Sequence, residues 1–130
     1  MRLTITGLSE IRARLDRLRP ADIMAAALAE QAERMAAVIR DGLAEPQGSG
    51  AHDKPWARTG ALHDSIASTA NGLEAAIGSN DPAAAPQELG TSRIPPRPFL
   101  APVAAAEGPE VARIIGQAVA SALRGESTSE

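Results

Sequence analysis

Leu3 and Ile5 alternate with Thr4 and Thr6, a period of two that predicts a short first strand ending at Gly7. The period then changes. Leu8, Ile11, Leu15 and Leu18 recur at helical spacing, with Arg12, Arg14, Arg17 and Arg19 and the acids Glu10 and Asp16 between them. Arg19-Pro20 ends this helix, because a residue before proline is pushed out of the α region. Pro20 in turn suits the first turn of a second helix, where its missing N–H matters least. That helix is expected to run to about Leu43, with Met24, Leu28, Met35, Val38 or Ile39, and Leu43 as its buried stripe. Ala25, Ala26, Ala27, Ala29, Ala32, Ala36 and Ala37 give it high intrinsic propensity, and Glu30 and Arg34 are spaced as an i, i+4 ion pair.

From Glu45 to Trp56 the periodicity dissolves into Gly, Pro and polar residues, so a loop is expected. Thr59 is placed to cap a short helical turn reaching Ile66. Ile66–Ala70 and Leu73–Ile77 then flank Asn71-Gly72, the strongest short-range hairpin signal. A two-residue Asn-Gly loop would pair Ala70 with Leu73, Ser68 with Ala75 and Ile66 with Ile77, turning Ile66, Leu73 and Ile77 toward the helices. The first strand is expected to join this hairpin, because a lone hairpin is marginal in water. Asn80 or Asp81 can cap a short helix from Pro82 to Leu89, ended by Gly90. A proline-rich crossing follows, then a helix from Phe99 to Ala106, a break at Gly108-Pro109 and a continuation. Val111, Ile114, Ile115, Ala118, Val119 and Ala122 are the continuation's apolar stripe, and Arg124-Gly125 its end. Residues 125–130 are polar and expected to be disordered. Residues 1–124 therefore read as one α+β domain. Its small antiparallel sheet, the N-terminal strand plus the Asn-Gly hairpin, packs against a long alanine-rich helix and a C-terminal amphipathic helix.

Composition changes this picture in two ways. With 130 residues, one Trp, one Phe and no Tyr, the core must be filled by aliphatic side chains and alanine. Alanine buries little area, at ~25 cal/mol per Å², so some reliance on partner subunits is expected. The net charge of -3 argues against a dedicated nucleic-acid binder, and the absence of Cys excludes disulfides and thiolate metal sites. No signal peptide is legible at the N-terminus, and no apolar run is long enough for a transmembrane helix, so a protein made in the cytoplasm is expected.

Candidate chemistry is sparse. His63-Asp64-Ser65 holds the residue types of a hydrolytic triad, but sequence neighbours do not converge on one reacting atom. His52-Asp53 lacks a third metal ligand, and Gly48-Ser49-Gly50 lacks the Lys-Ser/Thr of a phosphate loop. No enzyme activity, metal or cofactor is expected. Four features instead point to contacts. Arg12, Arg14, Arg17 and Arg19 form either a solvated face or one that meets DNA or an acidic neighbour. Trp56 is either an interface anchor or a lid on the core edge. Arg93 and Arg97 flank Ile94-Pro95-Pro96 and can contact a phosphate backbone or, the favoured expectation, pair with a neighbour's carboxylates, while Asp81, Glu88 and Glu74 offer acids to a neighbour's arginines. Phe99 is the one residue large enough to plug a pocket between sheet and last helix.

Two motifs together carry a family resemblance. Arg58-Thr59-Gly60-Ala61-Leu62-His63-Asp64-Ser65-Ile66 resembles the Arg-Thr-Gly-x-Leu-x-x-Ser-Ile pattern of a phage tail-component family. Further along, Glu88-Leu89-Gly90-Thr91 and Pro96-Arg97-Pro98-Phe99-Leu100-Ala101-Pro102 resemble that family's Glu-x-Gly-Thr … Pro-Phe-Leu-x-Pro run. The family is that of gene product ten of the Hong Kong ninety-seven-like siphophages, similar to the minor tail protein Z of lambda-like phages. The likeness spans about Leu8 to Leu123 in matching order, with one departure: Ala83–Gln87 stands where the family has a tyrosine before Glu-x-Gly-Thr. The resemblance implies a non-enzymatic tail-completion or tail-terminator component at the head-tail junction of a virion. It implies a homo-oligomeric ring, a hexamer favoured, joined to neck, connector and tail-tube proteins near the packaged DNA. It marks Arg58, Thr59, Gly60, Leu62, Glu88, Gly90, Thr91, Arg93, Pro96, Arg97, Pro98 and Phe99 as motif or subunit-interface candidates. The rival expectation is a DNA-associated or regulatory protein using the arginines of the first helix.

Overall fold

In the computed structural model the described residues are 2–44 and 60–125. Their elements in chain order are α1 (Leu8–Leu18), α2 (Pro20–Ala44), α3 (Ala61–Asp64), β1 (Ile66–Asn71), β2 (Glu74–Ser79), α4 (Ala84–Leu89) and α5 (Ala101–Arg124). This is an α+β fold, and the long helix α2 packs on the sheet. α2 is also the shared support of the other elements, packing against α5, β1, β2 and α3. The body of α5 lies against α2 rather than against the sheet. Phe99, just before α5, nevertheless reaches the sheet through Ile66.

The core follows from alanine. Ala32, Ala36, Ile39 and Leu43 are buried on one face of α2, spaced as helical neighbours, and Ala36 is wholly inaccessible. They meet Ile66, Ala84 and Phe99, with Leu62, Ile77, Leu100 and Val103 packed around them. Of the expected stripe, Ile39 and Leu43 are buried, Met35 and Val38 are half-buried, and Met24 lies 37% exposed. The small side chains mark where neighbouring backbone comes closest, and the large residues of the amino-terminal half lie outside that contact.

Residues 2–7 form no strand, and Leu3 and Ile5 are 85% and 67% exposed. The sheet among the described residues is the β1–β2 hairpin alone. Alternation of Leu and Thr gives a segment two distinct faces, but a strand also needs a sheet edge that accepts its backbone groups, and nothing local supplies one. The hairpin register is displaced by two residues from the expected one: Asn71 pairs with Glu74, Ala70 with Ala75, Ser68 with Ile77 and Ile66 with Ser79. The loop is Gly72-Leu73, with a positive φ of 59° at Gly72 alone, as in the II′-type loop that places Gly first. A shift by two keeps each side chain on its face. Ile66 and Ile77 therefore still meet the helices, while Leu73 moves into the loop and is 56% exposed.

α5 is continuous through Gly108-Pro109, where a break was expected. Interior proline costs a helix ~3 kcal/mol. Packing along α2 and the 2.8 Å ion pair from Arg34 to Glu107 act beside the proline to oppose that cost. Arg34 thus pairs across helices rather than with Glu30. At the other junction, Arg19 takes φ 47° and turns the chain from α1 into α2 within one residue, which agrees with the bar on α geometry before Pro20.

Candidate interaction surface

The proline crossing is shaped by the short helix before it. Glu88, at the end of α4, reaches across to the start of α5. Its Oε2 accepts the backbone N–H of Phe99 at 2.7 Å and of Leu100 at 3.0 Å, and its Oε1 accepts that of Ala101 at 2.9 Å. α5 has no local side-chain cap, and Pro102 in its first turn has no N–H to satisfy, so Glu88 is the cap, supplied from another helix. Partial burial pushes the Glu88 carboxyl up. The three backbone N–H donors outweigh that and hold it below the usual carboxylate range.

Gly90 ends α4 with φ 74° and ψ 176°, a region essentially reserved for glycine. A Cβ there would lie 2.8 Å from the nitrogen and Cδ of Pro96 and 2.9 Å from the Ile94 carbonyl oxygen. The loop folds back on Gly90 that closely because Thr91 closes it. The Thr91 N–H donates to the Ile94 carbonyl at 2.8 Å, and its Oγ1 accepts the N–H groups of Arg93 and Ile94. The Arg97 N–H then donates to the Gln87 carbonyl at 2.7 Å. Phe99 is only 6% exposed and enters the core. Glu88, Gly90, Thr91 and Phe99 are therefore spent on holding the crossing. Arg93, Ile94, Pro95, Pro96 and Pro98 are left on its outside. Arg97, expected on that outer surface with Arg93, is half-buried, and its Nε is buried without a hydrogen-bond partner.

The first motif has the same character. Gly60 occupies the N-cap of α3 with φ 74°, the place expected of Thr59. Leu62 packs on the core and Ile66 lies inside it. The Ser65 hydroxyl donates to the Leu62 carbonyl at 2.7 Å, so at its 2.6 Å contact with Ser79 it is the acceptor, and Ser79 accepts in turn from the Asp81 N–H at 3.0 Å. This relay ties α3, the end of β2 and the approach to α4 into one unit. The His63 ring bonds to its neighbour Asp64 through Nδ1 at 2.7 Å, and the Ser65 hydroxyl is committed elsewhere, so the three do not converge. Trp56, Arg58 and Thr59 lie outside the described residues, as do the loop over 45–57, His52, Asp53, the Gly48–Gly50 run and residues 126–130.

A polar clamp that the sequence pattern did not reveal fixes β1 to α2. Arg40 donates through Nε to the Ile66 carbonyl at 3.1 Å and through Nη2 to Glu33 at 3.0 Å, and Ser68 donates to Glu33 at 2.6 Å. The Ser68 hydroxyl, then the Arg40 guanidinium, hold Glu33 below the usual carboxylate range. Glu33 and Arg40 lie seven residues apart on one helix face, which was the available signal; their acceptor on β1 was not.

Exposed apolar side chains gather at the amino-terminal end: Leu3, Ile5, Leu8, Ile11, Leu15 and Met24. α1 contains no buried residue. No cluster of three or more metal-ligating side chains occurs among the described residues, and no helix there is long and apolar enough to cross a membrane. Comparison with protein-family models, curated proteins and solved structures gives no match for this chain.

Proposed function

We propose that this chain is a structural virion protein of a tailed phage or prophage, a tail-completion or tail-terminator-type component at the head-tail junction. It acts by ring assembly and protein–protein contacts, without catalysis and without a cofactor. The observation that carries this reading is how the two resemblance motifs are spent. Gly60, Leu62 and Ser65 shape α3 and its junction with β2, while Glu88, Gly90, Thr91 and Phe99 shape and anchor the crossing and hold outward a proline loop bearing Arg93 and Ile94. A rigid exposed loop suits recognition, because little conformational entropy is lost when it is bound. The amino-terminal apolar surface supports the same reading, since exposed apolar patches mark interaction sites.

In this reading the partners are further copies of the chain, a hexamer favoured, and neck, connector and tail-tube proteins, with the packaged DNA nearby. The site of action is the virion. Native mass spectrometry and negative-stain imaging of the full chain test it: a closed ring is expected, and a protein that stays monomeric at high concentration overturns the assembly. The rival reading, a DNA-associated protein, has the exposed arginines of α1 in its favour. It requires duplex binding that weakens steeply with salt.

A further inference from the structure

α1 presents a large apolar stripe that no other described element covers. Leu8, Ile11 and Leu15 are 62%, 58% and 42% exposed, and the helix meets its own chain chiefly through α5. The β1–β2 hairpin presents the converse. Its inner face, with Ile66, Ser68 and Ile77, is turned to α2. On its outer face Ala67, Thr69 and Ala76 are exposed beside Gly78, and a shallow groove of about 350 Å³ runs over these small residues. The described residues cover this sheet on one side only, with a helix, and such a sheet has room for a second helical layer on the other.

Length and charge agree. An 11-residue helix is about 16 Å long, and a six-residue strand is about 20 Å long. Leu8 to Arg19 carries four arginines against two acids, with Arg19 paired to Asp22 at 2.7 Å and Arg12, Arg14 and Arg17 exposed; residues 60–92 carry no Lys or Arg, and besides Glu88, which caps α5, they hold the acids Asp64, Glu74 and Asp81. Glu74 stands at the hairpin tip and is exposed, and Asp81 follows the far end of β2. Each end of the hairpin therefore offers a carboxylate to a helix rimmed with guanidinium groups.

We propose that α1 of one copy lays its Leu8–Ile11–Leu15 stripe across the outer face of the β1–β2 hairpin of a second copy. The two patches differ, so the contact is head to tail, and successive contacts generate a ring if the rotation closes. The inference deepens the ring-assembly reading and rests on it.

The absence of cysteine makes the test direct. Full-length Ile11→Cys and Ala76→Cys are mixed and mildly oxidised; a disulfide-linked dimer is expected from the mixture and from neither variant alone. In parallel, Ile11→Glu is compared with the unmodified chain by light scattering after size exclusion. Since α1 has no buried residue, this variant keeps its circular dichroism and melting temperature and loses the oligomer. If Ile11→Glu assembles as the unmodified chain does, or if Ile11→Cys cross-links as readily to itself as to Ala76→Cys, this interface is wrong while ring assembly stands. If the unmodified chain is monomeric at every concentration, assembly and interface both fall.

Discussion

Replacing Glu88 by alanine removes the only side chain among the described residues that caps α5. Three backbone N–H groups then lose an anionic acceptor. Ala101 is exposed and can turn to water, but Phe99 and Leu100 sit against the core, where water replaces the carboxylate poorly. A hydrogen bond to a charged group contributes ~1.5–3 kcal/mol, and loss of a helix cap costs ~1 kcal/mol. These are overlapping accounts of one contact, so the expected loss is about 2–3 kcal/mol rather than their sum. For a chain of this size that lowers the melting temperature by roughly 10 °C. Glu88→Gln should fall between, since its amide keeps one acceptor oxygen but turns an NH₂ toward a donor.

The pH dependence separates this account from a general packing defect. The Glu88 carboxyl is held below the usual range in the folded protein, so its contribution is complete above the unfolded value of ~4.3. It is lost as pH falls through the lower folded value. The stability gap between the native chain and Glu88→Gln, measured by urea unfolding, should therefore be largest at neutral pH and shrink toward acid. Other carboxylates with lowered values, Glu33 and Glu110, are common to both proteins and cancel in the difference. A gap that is absent at neutral pH, or one that persists undiminished in acid, refutes the capping role.

Two further substitutions probe the same region. Gly90→Ala puts a Cβ against Pro96 and the Ile94 carbonyl in a glycine-only conformation, and should destabilise by about 2–4 kcal/mol in urea unfolding; an unchanged midpoint would show that the loop does not close on Gly90. Phe99→Ala removes the one aromatic side chain in the core of the described residues and should cost about 3–5 kcal/mol. A cost below 1 kcal/mol would place Phe99 outside the cooperative core.

What the sequence determined by itself was local. The helical spacing of Leu8 to Leu18, the stop at Arg19-Pro20, the alanine-rich run of α2, the hairpin around Gly72 and the glycine ends at Gly90 and Gly125 all arise from residues within a turn or two of each other. Their conformational preferences therefore act wherever the rest of the chain lies. The α+β class and the burial of Phe99 followed from these and from composition. What only the tertiary structure decided depended on partners remote in sequence. Leu3–Thr6 has the pattern of a strand but pairs with neither edge of the hairpin. The hairpin register is the exception, a local choice the residue pattern left open: both registers keep the same faces, and the loop geometry at Gly72 distinguishes them. Pro109 sits inside a helix that runs along α2. Glu88 read as a surface acid open to a neighbour, yet its oxygens cap a helix that begins thirteen residues later. Such contacts join groups that no local period relates, and they exist only once α4 and α5 have both come to rest beside α2.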